Sequence, residues 1–394
     1  MKYLPRAVLA FTAAAALGSI VCCRKVPKLG DPLADLTKEQ RQQFDLGRVE
    51  FERAFTPETG LGPLFNSVSC AECHESPVTG GPGDEVEIHV AALSPGGSCD
   101  LLLSKGGPVI QQAATPALRA ALGIEREPEP AEATGRGQRT TPDVFGFGLL
   151  DAVPDATLLK LADPDDKDGD GISGRANRFP DGRVGRFGRK ALLPSLKEFN
   201  DGAFVIEQGI TNPASLDEGT IGGAPIPAGV DPVPEPEIDQ RAIDATDAFV
   251  RFLAAPAPAK LSGAAQRGSG LFQKIGCDRC HTPVLKTGDH PIKALAYRDV
   301  AAYTDLLLHD MGPELADICF GLATPSEFRT EPLMGLRLSE EIEEGEPRFL
   351  HDGRAGTIEE AIRLHGGEAA PSRDRFAALS EKDRKALLEF LRSL

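Results

Sequence analysis

The sequence has no tryptophan, and only three tyrosines and three methionines among its 394 residues. With no indole anywhere, a tryptophan stacking platform or a tryptophan bridge between two sites is excluded. Positive charge is also scarce: 43 Lys and Arg stand against 59 Asp and Glu, for a net charge of −16. So acidic a surface repels phosphate backbones, which excludes nucleic acid as a partner. It can steer a basic protein towards it, although a merely soluble acidic surface accounts for the charge equally well. Long apolar runs are missing too. The one extended stretch, Ala7 to Val21, is interrupted by Thr12, Gly18 and Ser19 and is too short to span a bilayer. Behind Lys2 and Arg6 it has the anatomy of an export signal over residues 1–23. Cys22 and Cys23 follow at once. Either one is the lipidated first residue of a mature lipoprotein, the single form of membrane attachment on offer, or cleavage occurs nearby. Val21 is a poor match to the small residue expected before lipidation. Both readings place the remainder in an exported compartment such as the periplasm.

What is present reads as globular. Hydrophobic residues make up 41% and charged residues 26%, and the length suits about two domains. The 42 Gly and 32 Pro imply many turns. A helical pattern runs from Leu33 to Ala54, with Leu36, Phe44, Leu46, Val49 and Phe51 as its apolar positions and Thr37 and Gln40 placed as a capping box. Residues 77–140 show little periodicity and read as loops with short elements. A second helix carries Ile243, Phe249, Val250, Phe252 and Leu253. Residues 254–260 (AAPAPAK) then read as a stiff linker. This divides the chain into an N-terminal domain, 33–253, and a C-terminal domain, 261–394. The second opens with a helix from Gly263 to Ile275 and closes with one from Ser380 to Leu394, where Ser380 is the N-cap.

The strongest signal is a repeated pentapeptide, Cys70-Ala71-Glu72-Cys73-His74 and Cys277-Asp278-Arg279-Cys280-His281. C-x-x-C-H is the attachment signature of c-type haem. Two thiols one helical turn apart reach the two vinyl groups on one porphyrin edge, and the adjacent histidine, His74 or His281, meets the iron as proximal ligand. A zinc site, a redox dithiol or a disulfide would each leave the histidine unexplained twice over. Two covalently bound haems are therefore expected, on a mainly α fold of two cytochrome c-like haem domains, the first enlarged by loop insertions. Cys99 and Cys319 remain, either bridged or as separate buried thiols. Asp166, Asp168 and Asp170 followed by Gly171 match the opening of a calcium loop, although Asn177 stands where its bidentate Glu belongs. Calcium and a solvated acidic turn both fit.

The stretches GPLFNSVSCAECH (62–74), LADPDDKDGDGISGRANR (161–178), TDLLLHDMGPELAD (304–317) and FLHDGRAGTIEEAIRLHGGEA (349–369) resemble the di-haem oxidoreductases often labelled thiol oxidoreductases. The second half is also similar to the C-terminal domain of di-haem cytochrome c peroxidases and of the related enzyme that matures a tryptophan-derived quinone. The resemblance implies an oxidoreductase that relays electrons from a C-terminal haem to an openable N-terminal haem, with a small electron-carrier protein as donor or acceptor. Where those enzymes offer Met or Tyr to the far face of the C-terminal haem, this chain has His365, which implies His281/His365 ligation. Met311 and His309 are the alternatives for that face, and His351 has the bland reading of a structural imidazole. His89, fifteen residues beyond His74, corresponds to a distal histidine that leaves on activation. Glu207 is the candidate catalytic acid, but Phe199 stands where the peroxidases carry a glutamine, and their inter-haem tryptophan cannot exist here. A di-haem electron-transfer protein without catalysis is the rival expectation.

Overall fold

The computed structural model describes residues 26–94, 98–341 and 346–394. The expected export signal at 1–23, with Cys22 and Cys23, lies outside them. No described helix is long and apolar enough to cross a membrane.

Helix α1 (Lys38–Phe51) starts at the expected capping box, in which the Gln40 amide N–H donates to Thr37 Oγ1 at 3.2 Å and the Thr37 N–H donates to Gln40 Oε1 at 2.9 Å. Its buried stripe is Phe44, Gly47 and Phe51, while Leu46 and Val49 stay exposed. The first cysteine pair forms a single helical turn, α2 (Cys70–Cys73). The segment expected to be loops instead holds a four-stranded antiparallel sheet. Its long strand β1 (Val86–Leu93) pairs with β2 (Cys99–Asp100), β3 (Val109–Ile110) and β4 (Gly135–Thr140). Ile88 and Val90 alternate into its core face, placing Glu87 and His89 on the other. With 33% helix and 14% strand the fold is mixed, which corrects the mainly α expectation.

Two helix pairs follow the same plan. Helix α3 (Leu196–Gln208) leads to α4 (Gln240–Phe252), and α4 packs on α1 at Gly47. A Cβ on Gly47 would lie 2.1 Å from the Ala245 carbonyl oxygen, so only glycine permits this approach. One turn further on, the Phe51 ring sits 4.9 Å from that of Phe249 and 5.9 Å from the His74 imidazole. Beyond the linker, α5 (Gly263–Lys274) introduces the second half, followed by the hairpin strands β5 (Leu308–Asp310) and β6 (Glu327–Arg329), then α6 (Ile358–Leu364) and α7 (Glu381–Leu391). Here Gly268 meets α7 with a notional Cβ 2.0 Å from the Ala386 carbonyl oxygen. Phe272, again one turn on, lies 5.5 Å from Phe390 and 6.4 Å from His281. Each half thus crosses two helices at a glycine and aims a phenylalanine at its CxxCH histidine.

The halves are joined firmly. The largest core cluster combines Phe44, Phe51 and Phe249 with Leu295, Val300 and Leu306 from beyond residues 254–260. A disulfide between Cys99 of β2 and Cys319 resolves the open pairing, with Cα atoms 6.3 Å apart.

Candidate functional site: two CxxCH centres

At the first centre, Ser69 caps α2 by accepting the Glu72 N–H at 3.0 Å, and Glu72 Oε2 returns to the Val68 N–H at 2.7 Å. The end of α3 holds the approach to α2, because the Glu207 carbonyl accepts the N–H groups of Asn66 at 2.7 Å and Ser67 at 3.1 Å. Cys70 and Cys73 are unbonded thiols, although the chain does form a disulfide elsewhere. Burial, with help from Glu50 and Glu207, pushes the Cys70 thiol up to about 12, and burial raises Cys73 as well. Thiols held protonated to this degree are poor redox nucleophiles. The His74 imidazole is held below its ordinary value by burial, and its Nδ1 is sealed without a hydrogen-bond partner. Neutral imidazole beside two free thiols one turn apart is the donor set that covalent haem requires.

The second centre opens onto a cavity of about 270 Å³ lined by Cys277, Cys280, His281, Met311, His351 and His365, among others. Cys277 is pushed up to about 12 by burial and by Asp278, and Cys280 is raised by burial. His281 Nδ1 is 3.0 Å from the Tyr303 carbonyl oxygen, and His365 Nδ1 is 2.7 Å from the Ala361 carbonyl oxygen. Fixing Nδ1 on a carbonyl selects the tautomer whose Nε2 carries a free lone pair, the usual preparation of a metal-binding histidine. Burial, and then the nearby His365, holds His281 down to about 4, so both rings are neutral near pH 7. His365 is thus brought together with His281.

His309, the alternative, is not available as a ligand. Its Nε2 is 2.8 Å from Asp305 Oδ2 and its Nδ1 is 3.0 Å from Glu368 Oε2. Burial alone would lower its pKa, but Asp305, Cys280 and Glu368 outweigh burial and hold it well above the ordinary value. Met311 remains in the cavity wall. His351 stacks on Phe328 at 3.9 Å and is held down to about 2, by burial first and then by Arg139, Arg189 and Lys190.

His89 lies on β1 with its Nε2 2.8 Å from Glu87 Oε2, so the structure gives it to Glu87 rather than leaving both nitrogens open. Glu207 accepts the Asn66 side-chain N–H at 3.0 Å. Burial and the adjoining Glu87 carboxylate hold Glu207 well above the carboxylate range. Burial also acts on Glu87, but the His89 hydrogen bond and the charges of Arg139 and Arg189 prevail and lower it. Within this acid pair the surroundings thus favour the proton on Glu207 and the negative charge on Glu87. Sequence reasoning missed Glu87, whose signal was its period-two spacing from His89. It also missed Gln208, whose Nε2 lies 3.8 Å from Cys70 Sγ while its Oε1 is buried without a partner. Phe199 packs its ring 6.2 Å from Phe187, so that position serves the core. Arg189 stands between the centres: it lines the second cavity, donates to the Thr140 carbonyl at 2.8 Å, and its charge acts on His74.

In the acidic loop, the oxygens of Asp163, Asp166 and Asp168 gather within 4.8 Å of one another. Asp170 faces Arg279 of the second CxxCH instead, at 3.0 Å. Asn177 is wholly buried and donates to the carbonyls of Lys190 and Phe320 at 2.7 and 2.9 Å.

No curated protein matches the chain. Among solved structures, hydrazine synthase of Kuenenia stuttgartiensis, pressurised with 20 bar xenon, aligns over 100% of both chains at 16% identity and a TM-score of 0.42. A MauG-like protein associated with microbial copper homeostasis aligns over 94% of both chains at 17% identity and a TM-score of 0.39. Scores this low carry no functional information. The family model described as "Di-haem oxidoreductase, putative peroxidase" matches residues 132–394, which takes in the second CxxCH and leaves the first ahead of the matched span. That span is well over half the sequence, and the chain belongs to the di-haem oxidoreductase family.

Proposed function

We propose that this chain is an exported di-haem c-type oxidoreductase of the peroxidase kind, in which electrons enter at the second centre and peroxide meets the first. The observation that carries this reading is the asymmetry between the centres. Around the second, His281 and His365 share one cavity, each tied to a carbonyl through Nδ1. Beside the first stand Glu207, Glu87 and His89 in hydrogen-bonding or electrostatic contact. An imidazole pair suits electron transfer, whereas an acid pair beside a less committed face suits peroxide chemistry.

Cys70, Cys73 and His74 would hold one haem and Cys277, Cys280, His281 and His365 the other, and bound there the haems supply one-electron redox chemistry. The protein's own part is positional and protonic. Asn66 orients the Glu207 carboxyl, which holds a proton, and Glu87 with His89 offers a route for replacing it. Phe51 and Phe249 keep water from the His74 edge, as Phe272 and Phe390 do for His281. The acidic surface suits a small basic electron-carrier protein. Lipid attachment at Cys22 or Cys23 would keep the enzyme at the membrane surface. The Phe199 side chain, where an amide would serve catalysis, favours the rival reading of a relay without turnover.

The test is oxidation of a reduced basic cytochrome by hydrogen peroxide, using protein matured with both haems. Turnover is expected, with Glu207→Gln lowering it about 10²- to 10⁴-fold. Two loaded, reducible haems without turnover would leave the relay.

A further inference from the structure

Resting on the di-haem reading, we infer that Arg189 and Arg329 form an anion-binding wall in the cavity of the second centre and hold the propionate carboxylates of its haem. The cavity and the protein differ in the sign of their charge. The chain carries −16, yet the Lys, Arg, Asp and Glu side chains that line this cavity are four arginines, Arg189, Arg329, Arg348 and Arg373, against two carboxylates, Asp143 and Glu331. Arg373 is already engaged, with Asp374 at 2.9 Å and the His365 carbonyl at 3.0 Å.

The two arginines of the wall are buried, their side chains 13% and 4% exposed, and they share one partner. Arg189 Nη1 and Arg329 Nη2 lie 3.0 and 2.8 Å from the same oxygen, Glu331 Oε2. Both are also fixed to the backbone, Arg189 Nη2 donating to the Thr140 carbonyl at 2.8 Å and Arg329 Nε to that of Gly188 at 3.0 Å. Two guanidiniums on one carboxylate leave a positive charge over, and a buried charge without its counterion is costly. Asp143 does not cancel it. That carboxyl accepts the Phe145 N–H at 3.1 Å, and burial first, then Glu331, pushes it up to about 7. Behind the wall the same imbalance recurs, since Arg139 and Lys190 both pair with Asp317, Lys190 at 3.1 Å.

An anion is therefore called for, and the cavity names its class. The haem that Cys277, Cys280, His281 and His365 would hold there carries two carboxylates of its own. The planar fork of arginine matches a carboxylate with paired N–H donors, as a lysine would not. Positive charge beside a haem favours its reduced form, so the wall offsets part of the lowering that two imidazole ligands impose.

The experiment is a redox titration of the haem-loaded full-length protein followed by electron paramagnetic resonance, with resonance Raman spectra of the haem propionate bending bands. Arg189→Gln should lower the potential of the second haem and shift its propionate band. Glu331→Gln should raise the same potential. Arg189→Lys should stay closer to the wild-type potential, because it keeps the charge, while still shifting the band. Opposite shifts from neighbouring residues are not what a loss of packing produces. A potential that ignores both charge changes overturns the wall. So does a propionate band unmoved by Arg189→Gln, which would mean that the arginines hold some other anion. If Arg189→Gln fails to fold, Arg189→Lys and Glu331→Gln decide by the same two readouts. Pyridine haemochrome spectra count the haems separately: fewer than two overturns the di-haem reading along with the wall, whereas two haems with unmoved potentials and bands overturn the wall alone.

Discussion

His309 shows how far a single residue can be removed from its sequence-level reading. The sequence offers it as an iron ligand near Met311, yet the fold places it between Asp305 and Glu368, each within 3.0 Å, and 3.6 Å from Cys280 Sγ. Asp305 lies in the same local string, four residues before His309, but nothing local foretells Glu368, which is 59 residues away. His281 and His365 were legible because a proximal histidine travels with its cysteines and the other with a long motif. Glu207 was legible as an acid, but its partner Glu87 is supplied by a strand that pairs only in three dimensions. The His309 pKa is raised by folding, so its charge stabilises the protein fully below its unfolded value near 6.5 and that contribution fades as the pH rises through the folded value. Melting temperature should therefore decline from neutral towards alkaline pH. His309→Gln should flatten that decline and cost about 3–5 kcal/mol at pH 6 by leaving two carboxylates without their cation. An unchanged pH profile in this variant would show that His309 is neutral in the fold.

Among the elements, the helices were the readable part. Caps at Thr37 and Ser380 stand where the sequence puts them, each confirmed by a side-chain acceptor, and the structure adds a third at Ser262. The sheet was missed for a physical reason. Val86–Leu93 alternates as a strand should, but two of its partners, Cys99–Asp100 and Val109–Ile110, are two residues long, and the third, Gly135–Thr140 (GRGQRT), carries no hydrophobic side chain to alternate. The apolar stripe of α1 was drawn too wide, since Leu46 and Val49 face outward while Gly47, a residue without a hydrophobic side chain, makes the closest approach. Gly268 does the same between α5 and α7, with Phe272 one turn away against His281. Gly268→Ala should destabilise by about 1–3 kcal/mol through overpacking, measured by denaturant unfolding. It should also perturb the absorption of the second haem more than that of the first. Equal perturbation of both would contradict the local role assigned to the α5/α7 crossing.

At the scale of the molecule, repetition and asymmetry meet. The halves repeat a helix crossing, a phenylalanine and a CxxCH, and the largest hydrophobic cluster draws on both. Arg189 links the two centres, lining the cavity of the second while its charge acts on His74 of the first. The two-site plan was legible in the sequence because CxxCH is written twice. The core cluster that bridges the halves was not, because the gathering of Phe249 with Leu295 and Leu306 into one cluster leaves no local mark. In the proposed function the second centre is closed by two imidazoles while the first retains an openable face. Electron paramagnetic resonance on the haem-loaded protein, fully oxidised and then half-reduced, tests this most directly. A low-spin signal that turns high-spin in His365→Ala is expected, together with a high-spin signal from the other haem at rest or on half-reduction. Two low-spin signals that persist through half-reduction and ignore His365→Ala would contradict it.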